Sequence, residues 1–268
     1  MPTPCDVLIV GGGIAGSSLA TALARDGSNV VVLEASRSFE DRVRGESMLP
    51  WGVLEAREVE VEQTLLDAGA RMTPQWVHYD AFVPTEVARA NPIPTGMMLP
   101  GIGGSMNLRH PEACSALIDA AARAGTCVVR GVTDVVVTAG TKPVVRATGP
   151  AGETLEFAPR LVVGADGRNS TVRRQAGIDL EHYEATCMIA GLIVEGLDDI
   201  PQDHDFLASS DELFMASFHQ HDDQLRVYLC PGMKQKSRFA GPNGVNEFLR
   251  SANFDCLPFG LARSNCIE

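Results

Sequence analysis

Gly11, Gly13 and Gly16 stand in the spacing G-x-G-x-x-G directly after the apolar run Val7-Leu8-Ile9-Val10, and Glu34 closes a second apolar run, Val30 to Leu33. In that spacing each glycine has a mechanical task. Gly11 permits a tight turn, Gly13 lets a pyrophosphate reach the backbone, and Gly16 lets a helix pack closely on a strand. A helix that starts there directs free N–H groups and a partial positive charge at a phosphate. An acid about 20 residues further on accepts hydrogen bonds from the ribose hydroxyls of an adenosine. The set implies a bound dinucleotide.

Chemistry of this kind needs a strand, a turn, a helix and a second parallel strand in register. Val7 to Val10 reads as a buried strand, the alanine-rich stretch Ile14 to Arg25 as a helix, and Val30 to Leu33 as the next strand. The uncharged stretch Val7 to Ala24, ending Ala22-Leu23-Ala24, has the alternative reading of a secretory signal or membrane span. Against export stand Asp6, the lack of Lys or Arg in the first six residues, the interrupting glycines, and Glu34, which export leaves unexplained.

Further along, helical periodicity runs from Gly52 to Ala68, with Val53, Leu54, Val59, Leu65 and Leu66 as core positions. Trp76 to Val83 reads as a strand, Pro84 to Gly104 as a loop with room for one short strand, and Ser105 to Leu108 as a strand leading into a helix from Pro111 to Ala124. Cys127 to Arg130, Val132 to Thr138 and Val144 to Ala147 are short β-rich runs, expected as a meander or ribbon layered on the main sheet. Antiparallel strands are expected around Ala185 to Val194, Leu213 to His219 and Leu225 to Cys230, then a helix from Gly244 to Ser251.

The chain of 268 residues can bury a sizeable core as one large domain or two interleaved ones. Its net charge of -12 opposes nucleic acid or an anionic membrane as partner. Seven scattered cysteines without a C-x-x-C pair fit a reducing cytoplasm better than a disulfide framework or a zinc site. His204 between Asp203 and Asp205, and His219, His221, Asp222 and Asp223, read as solvated loops rather than metal ligands. No G-x-S-x-G elbow accompanies Ser47 or Ser170.

A second landmark is Arg-Leu-Val-Val-Gly-Ala-Asp-Gly-Arg-Asn-Ser-Thr-Val-Arg-Arg, Arg160 to Arg174. Leu161 to Val163 reads as a strand, Gly164 to Gly167 as a turn, and Ser170 to Gln175 as a helix capped by Asn169 or Ser170. The segment resembles the Asp-Gly motif of the single-component FAD-dependent monooxygenases, which include the aromatic hydroxylases and have halogenase and geranylgeranyl-reductase relatives. The order of motifs is similar too: nucleotide turn first, Arg109 at the start of a middle helix, the Asp-Gly turn afterwards.

The resemblance implies that Gly11, Gly13 and Gly16 cradle the FAD pyrophosphate, that Glu34 holds the adenosine ribose, and that Arg44 and Arg109 lie near the phosphates, where a planar guanidinium fork suits paired oxygens. It places Asp166 beside the cofactor. Gly45-Glu46-Ser47-Met48-Leu49-Pro50 is similar to the G-E-x-x-x-P stretch near the flavin ring, which brings Glu46 into the site. For Arg44 and Arg109 a surface position, for Asp166 a bond to its own turn, and for the Glu46 segment a simple helix-capping loop stand as the structural alternatives.

The resemblance therefore implies an α/β fold: a Rossmann-like FAD-binding domain, residues 1–75 and 97–180, interleaved with a partial β-rich substrate domain, residues 76–96 and 181–268. It implies FAD as cofactor, NAD(P)H as reductant, and hydroxylation of an aromatic or polyketide-like small molecule lining up with Trp76 to Val83 and the sheet from Ala185 to Cys230. Homo-oligomerisation is left open. The family's third motif, Gly-Asp before a small-residue helix, has no counterpart, since no Gly is followed by Asp. Truncation before that motif is expected to give weak FAD retention and little coupled hydroxylation. A non-catalytic nucleotide-binding or interaction protein, and a reductase of the geranylgeranyl type, are the alternative functions.

Overall fold

A computed structural model describes residues 1–41, 45–196, 200–210, 213–220, 223–234, 239–261 and 265–266. The first elements are β1 (Thr3–Val10), α1 (Ile14–Arg25), β2 (Val30–Glu34), β3 (Ser47–Met48), α2 (Pro50–Glu58), α3 (Glu62–Asp67), β4 (Arg71–Thr73), β5 (Trp76–Asp80) and α4 (Thr85–Ala90). β6 (Ser105–Asn107), α5 (His110–Arg123), β7 (Cys127–Arg130), β8 (Thr133–Thr138), β9 (Val144–Thr148), β10 (Thr154–Gly164) and α6 (Thr171–Gln175) follow. The last are β11 (Ala190–Glu195), β12 (Asp205–Ser209), β13 (Leu213–His219), β14 (Leu225–Pro231), α7 (Gly244–Ser251) and β15 (Asn265–Cys266). They form two compact units: Met1–Glu40, Ala56–Ala68 and Pro111–His182, and Asp41–Glu55, Gly69–His110 and Tyr183–Glu268.

The first unit is built on a six-stranded sheet in the order β7-β2-β1-β10-β9-β8. β1 pairs in parallel with β2 on one side and with β10 on the other, so the chain order reverses at β1. Both faces of β1 are buried: Leu8 and Val10 join one apolar cluster, Val7 and Ile9 another. That is why the strand reads as a continuous apolar run without alternation. The three β-rich runs expected as a separate layer are instead part of this sheet. β7 extends the β2 edge in parallel, and β8 and β9 continue from β10 antiparallel, which satisfies their backbone groups in one ladder.

The single helix expected over Gly52 to Ala68 is two, α2 and α3. Glu60 takes a left-handed φ of 56°, its N–H donates to the Arg57 carbonyl at 3.0 Å, and the Val61 N–H donates to the Ala56 carbonyl at 2.8 Å. This is a Schellman closure with Glu in place of the usual Gly, and Arg25 Nη1 donates to the Glu60 carbonyl at 2.8 Å.

Contact between turns is closest at two of the motif glycines. Gly11 has a φ of 103°, and a Cβ there would lie 2.4 Å from the Ala165 carbonyl oxygen. A Cβ on Gly16 would lie 1.9 Å from the Gly11 carbonyl oxygen and 3.2 Å from the Ala165 Cβ. The G-x-G-x-x-G turn is thus pressed onto the turn that follows β10.

The second unit has a six-stranded sheet in the order β15-β11-β14-β13-β12-β5 and a three-stranded one in the order β3-β6-β4. One face of the large sheet packs Val77, Phe206, Met215 and Val227 with Phe248 of α7 and Phe259. β5 stops at Asp80 rather than Val83, because the Phe82 N–H donates to Asp80 Oδ1 at 2.9 Å in an Asx turn. The stretch 84–104, expected as loop, contains α4 behind Pro84 and a 3₁₀ turn, Thr95–Met97. Ala88 is the buried residue that holds α4 to the core.

Two buried charges join the small sheet to the large one. Arg226, 1% exposed, donates from Nε to Glu46 Oε2 at 2.6 Å and from Nη2 to Asp41 Oδ2 at 2.5 Å. Asp205 accepts Asn107 Nδ2 at 2.7 Å and the His219 N–H at 2.8 Å. Neither His219 nor His204 is in a solvated loop, since the pairing of β12 with β13 buries both beside Asp205.

Two consequences can be measured by urea unfolding. Gly16→Ala is expected to cost about 1–3 kcal/mol through forced displacement of the turn, whereas Gly13→Ala, with open space at its Cβ, leaves stability nearly unchanged. Arg226→Met, which strands the buried Glu46 charge, is expected to cost about 3–5 kcal/mol, and Arg226→Met/Glu46→Leu to recover most of it. Equal stability of the single and double variants would contradict the pairing.

Candidate functional site

The first unit brings Gly11, Gly13, Gly16, Glu34 and Asp166 to the carboxyl ends of β1, β2 and β10. In open α/β sheets this end, where the strand order reverses, is where ligands bind. Gly13, with a φ of -73°, is the N-cap of α1; no side chain caps the helix, and its first turn holds no acid. A Cβ on Gly13 would meet nothing within 4 Å. The helix start is therefore open on the side from which a phosphate would come.

Glu34 is 8% exposed and is held by the turn itself: the Gly12 N–H donates to Oε2 at 2.6 Å and the Ser36 N–H to Oε1 at 2.7 Å. A carboxylate has about four lone-pair positions, so two acceptor positions remain beyond these bonds. The Gly12 contact ties the end of β2 to the glycine turn, a bond between residues 22 apart that the spacing of the motif does not disclose.

Asp166 has local work. Its Oδ1 accepts Ser170 Oγ at 2.5 Å, and its Oδ2 accepts the N–H groups of Thr171 at 2.6 Å and Val172 at 3.2 Å. Ser170 caps the helix in turn, accepting the Arg173 N–H at 2.9 Å. The carboxylate thus fixes the start of α6, and the backbone of Ala165-Asp166 lies against Gly11.

Glu46 and Arg109 belong to the second unit. The Leu108 N–H donates to the Glu46 carbonyl at 3.0 Å and the His110 N–H to Glu46 Oε1 at 3.3 Å, so Glu46 braces the residues on either side of Arg109. Burial pushes the Glu46 carboxyl above its ordinary range although the Arg226 guanidinium pulls it down. Arg44, His221 and Asp222 lie outside the described residues.

The face of the large sheet turned away from the Phe206 core carries an aromatic row. Trp76 and Phe218 have ring centroids 5.8 Å apart, Phe218 and Tyr228 6.2 Å, and the Arg226 guanidinium stands 5.9 Å from the Tyr228 centroid. Burial, reinforced by the Glu46 charge and opposed by Arg226, pushes the Tyr228 phenol above its usual range. Next to this row Leu207, Ala216 and Cys230 are half-buried and Phe214 is exposed. Trp76 and the strands of this sheet are legible in the sequence as pocket candidates, whereas Arg226 is not. Its signal was a lone Arg inside the apolar strand Leu225-Arg226-Val227-Tyr228-Leu229.

Comparison with known proteins agrees with this architecture. The chain is 34% identical over 189 residues to 6-methylpretetramide 4-monooxygenase from Streptomyces rimosus, a match covering 67% of this chain and 42% of that protein. The chain thus spans less than half the length of that curated relative. Among solved structures, a flavoprotein/dehydrogenase from Cytophaga hutchinsonii superposes with a TM-score of 0.79 at 17% identity, over 98% of this chain and 64% of that one. PqsL, a probable FAD-dependent monooxygenase from Pseudomonas aeruginosa, gives 0.73 at 20% identity, over 99% and 73%. These two likenesses show the fold. The model of the FAD binding domain family matches residues 4–241, and the chain belongs to that family.

Proposed function

We propose that this chain holds FAD by its ADP half on the glycine turn and serves a monooxygenase that takes electrons from NAD(P)H and hydroxylates an aromatic or polyketide-like small molecule. The observation that carries the cofactor part is the open backbone at Gly13, between an uncapped helix start and the Glu34 carboxylate. When bound, the flavin supplies the redox chemistry, transferring electrons from the nicotinamide to oxygen.

In this proposal Gly13 and the first turn of α1 receive the pyrophosphate, and Glu34 accepts the ribose hydroxyls. Asp166 holds the neighbouring turn in shape. Glu46 positions the backbone that carries Arg109. The cofactor domain of this proposal is residues 1–75 and 97–180, and the substrate domain is residues 76–96 and 181–268.

The aromatic face of the second unit supports the substrate class. The half-buried Trp76 and the buried rings of Phe218 and Tyr228 pack into an aromatic wall of the kind that suits a planar apolar ligand. Arg226 is already held by two carboxylates, so this face favours a neutral ring system over an aromatic acid. The Tyr228 phenol stays neutral, which also suits a neutral ring system. The name of the Streptomyces relative points to the same class.

Titration of FAD, followed by quenching of flavin fluorescence, tests the cofactor assignment. FAD is expected to bind much more tightly than FMN, which lacks the ADP half. Gly13→Val, whose backbone angles suit any L residue, is expected to weaken FAD about tenfold or more without lowering the unfolding midpoint, and Glu34→Gln to weaken FAD by a similar factor while also lowering the midpoint, since its NH2 faces one of the two N–H groups that the carboxylate accepts. Equal affinity for FAD and FMN, or unchanged FAD affinity in both variants, would contradict it.

A further inference from the structure

Tyr228 lies in a row of side chains on the face of the large sheet turned away from the Phe206 core. Tyr228 pairs with Ala216 on β13 and with Gly191 on β11, and Ala216 pairs in turn with Leu207 on β12. A tyrosine flanked by the two smallest side chains on its own face is an unusual use of space. Strands are spaced about 4.8 Å apart, so the row from Leu207 to Gly191 spans about 14 Å. Of the four paired residues in that row, Leu207, Ala216, Tyr228 and Gly191, Tyr228 alone carries a ring.

The ring is folded toward β11. A Cβ placed on Gly191 would lie 2.7 Å from both Cδ1 and Cε1 of Tyr228 and 3.5 Å from the Val227 carbonyl oxygen. The missing side chain of Gly191 is therefore the space that the ring occupies. Gly191 is not among the glycines with positive φ, so its backbone does not require glycine. The requirement comes from the ring. With Tyr228 turned this way it is 6% exposed, and Ala216, Leu207 and Cys230 are left half-buried with Phe214 at 39% exposure beside them.

We infer that Gly191 is a specificity-determining residue: by letting Tyr228 lie along β11 it keeps a flat apolar shelf over Ala216 that accepts a substrate of several fused rings. The inference rests on the reading of this sheet face as the substrate face. An alanine at 191 displaces the ring toward Ala216, across the shelf. A single-ring compound, which needs only the Trp76 and Phe218 end, is affected less.

The test reads Trp76, which lies in this face and becomes the sole tryptophan once exposed Trp51 is replaced. In the Trp51→Phe protein, fluorescence quenching is measured with 1,8-dihydroxyanthraquinone as the fused-ring probe and 4-nitrophenol as the single-ring probe, both corrected for inner-filter absorption. Gly191→Ala is expected to weaken the anthraquinone about tenfold and to change 4-nitrophenol much less. In a Tyr228→Ala background, Gly191→Ala is expected to have no effect on either. Equal loss for both probes, no loss for the anthraquinone, or a loss that persists without Tyr228 would overturn the role of Gly191 alone. Absence of quenching by both probes in the Trp51→Phe protein would overturn the reading of this face, and the role of Gly191 with it.

Discussion

The first unit depends on a steric constraint: two turns share a space that admits no side chain. Gly11 meets the Ala165 carbonyl and Gly16 meets the Gly11 carbonyl, at distances a Cβ would reduce to 2.4 Å and 1.9 Å. Those contacts set the depth at which α1 starts, and with it the position of the free helix end. They also press the glycine turn against the Asp-Gly turn, because β1 and β10 are parallel neighbours from Val7↔Leu161 to Val10↔Gly164. The two motifs, separated by about one and a half hundred residues in the chain, are one construction.

The second unit is organised by charge. Arg226 and Asp205 come from adjacent regions of one sheet and reach the strands that lead to Glu46 and Arg109. Burial of these groups is costly in itself, as the raised carboxyl of Glu46 shows. Pairing makes the cost acceptable only in one register, so the small sheet has one place to go. The same arrangement pairs the guanidinium that borders the aromatic face with two carboxylates.

What could be read from the sequence was what local pattern determines. α1 over Ile14–Arg25 and α7 over Gly244–Ser251 match their expected bounds, and β13 matches Leu213–His219. Each has a periodicity or a breaker at its ends. The break at Glu60 was hidden because a non-glycine residue holds the left-handed position, supported by Arg25 from another helix. α4 was hidden by its proline and glycine surroundings, although Pro84 before a run of good helix formers was a readable start signal. The placement of β7 at one edge follows from pairing with β2, far earlier in the chain, and β8 and β9 join the sheet through β10, whose other partner is β1 at the chain start. At the site, the glycines and Glu34 were legible from spacing. The Arg226 to Glu46 bond, between residues 180 apart, was not.

The central claim is that the glycine turn and Glu34 form the docking place for an ADP moiety. Amide resonances of the isotopically labelled chain, followed by NMR as ADP is added, test it most directly. The account predicts the largest shifts at Gly12 to Ala15 and at Glu34 to Ser36, with smaller changes at Asp166 and Gly167. Saturable shifts elsewhere, with these amides unmoved, would contradict it.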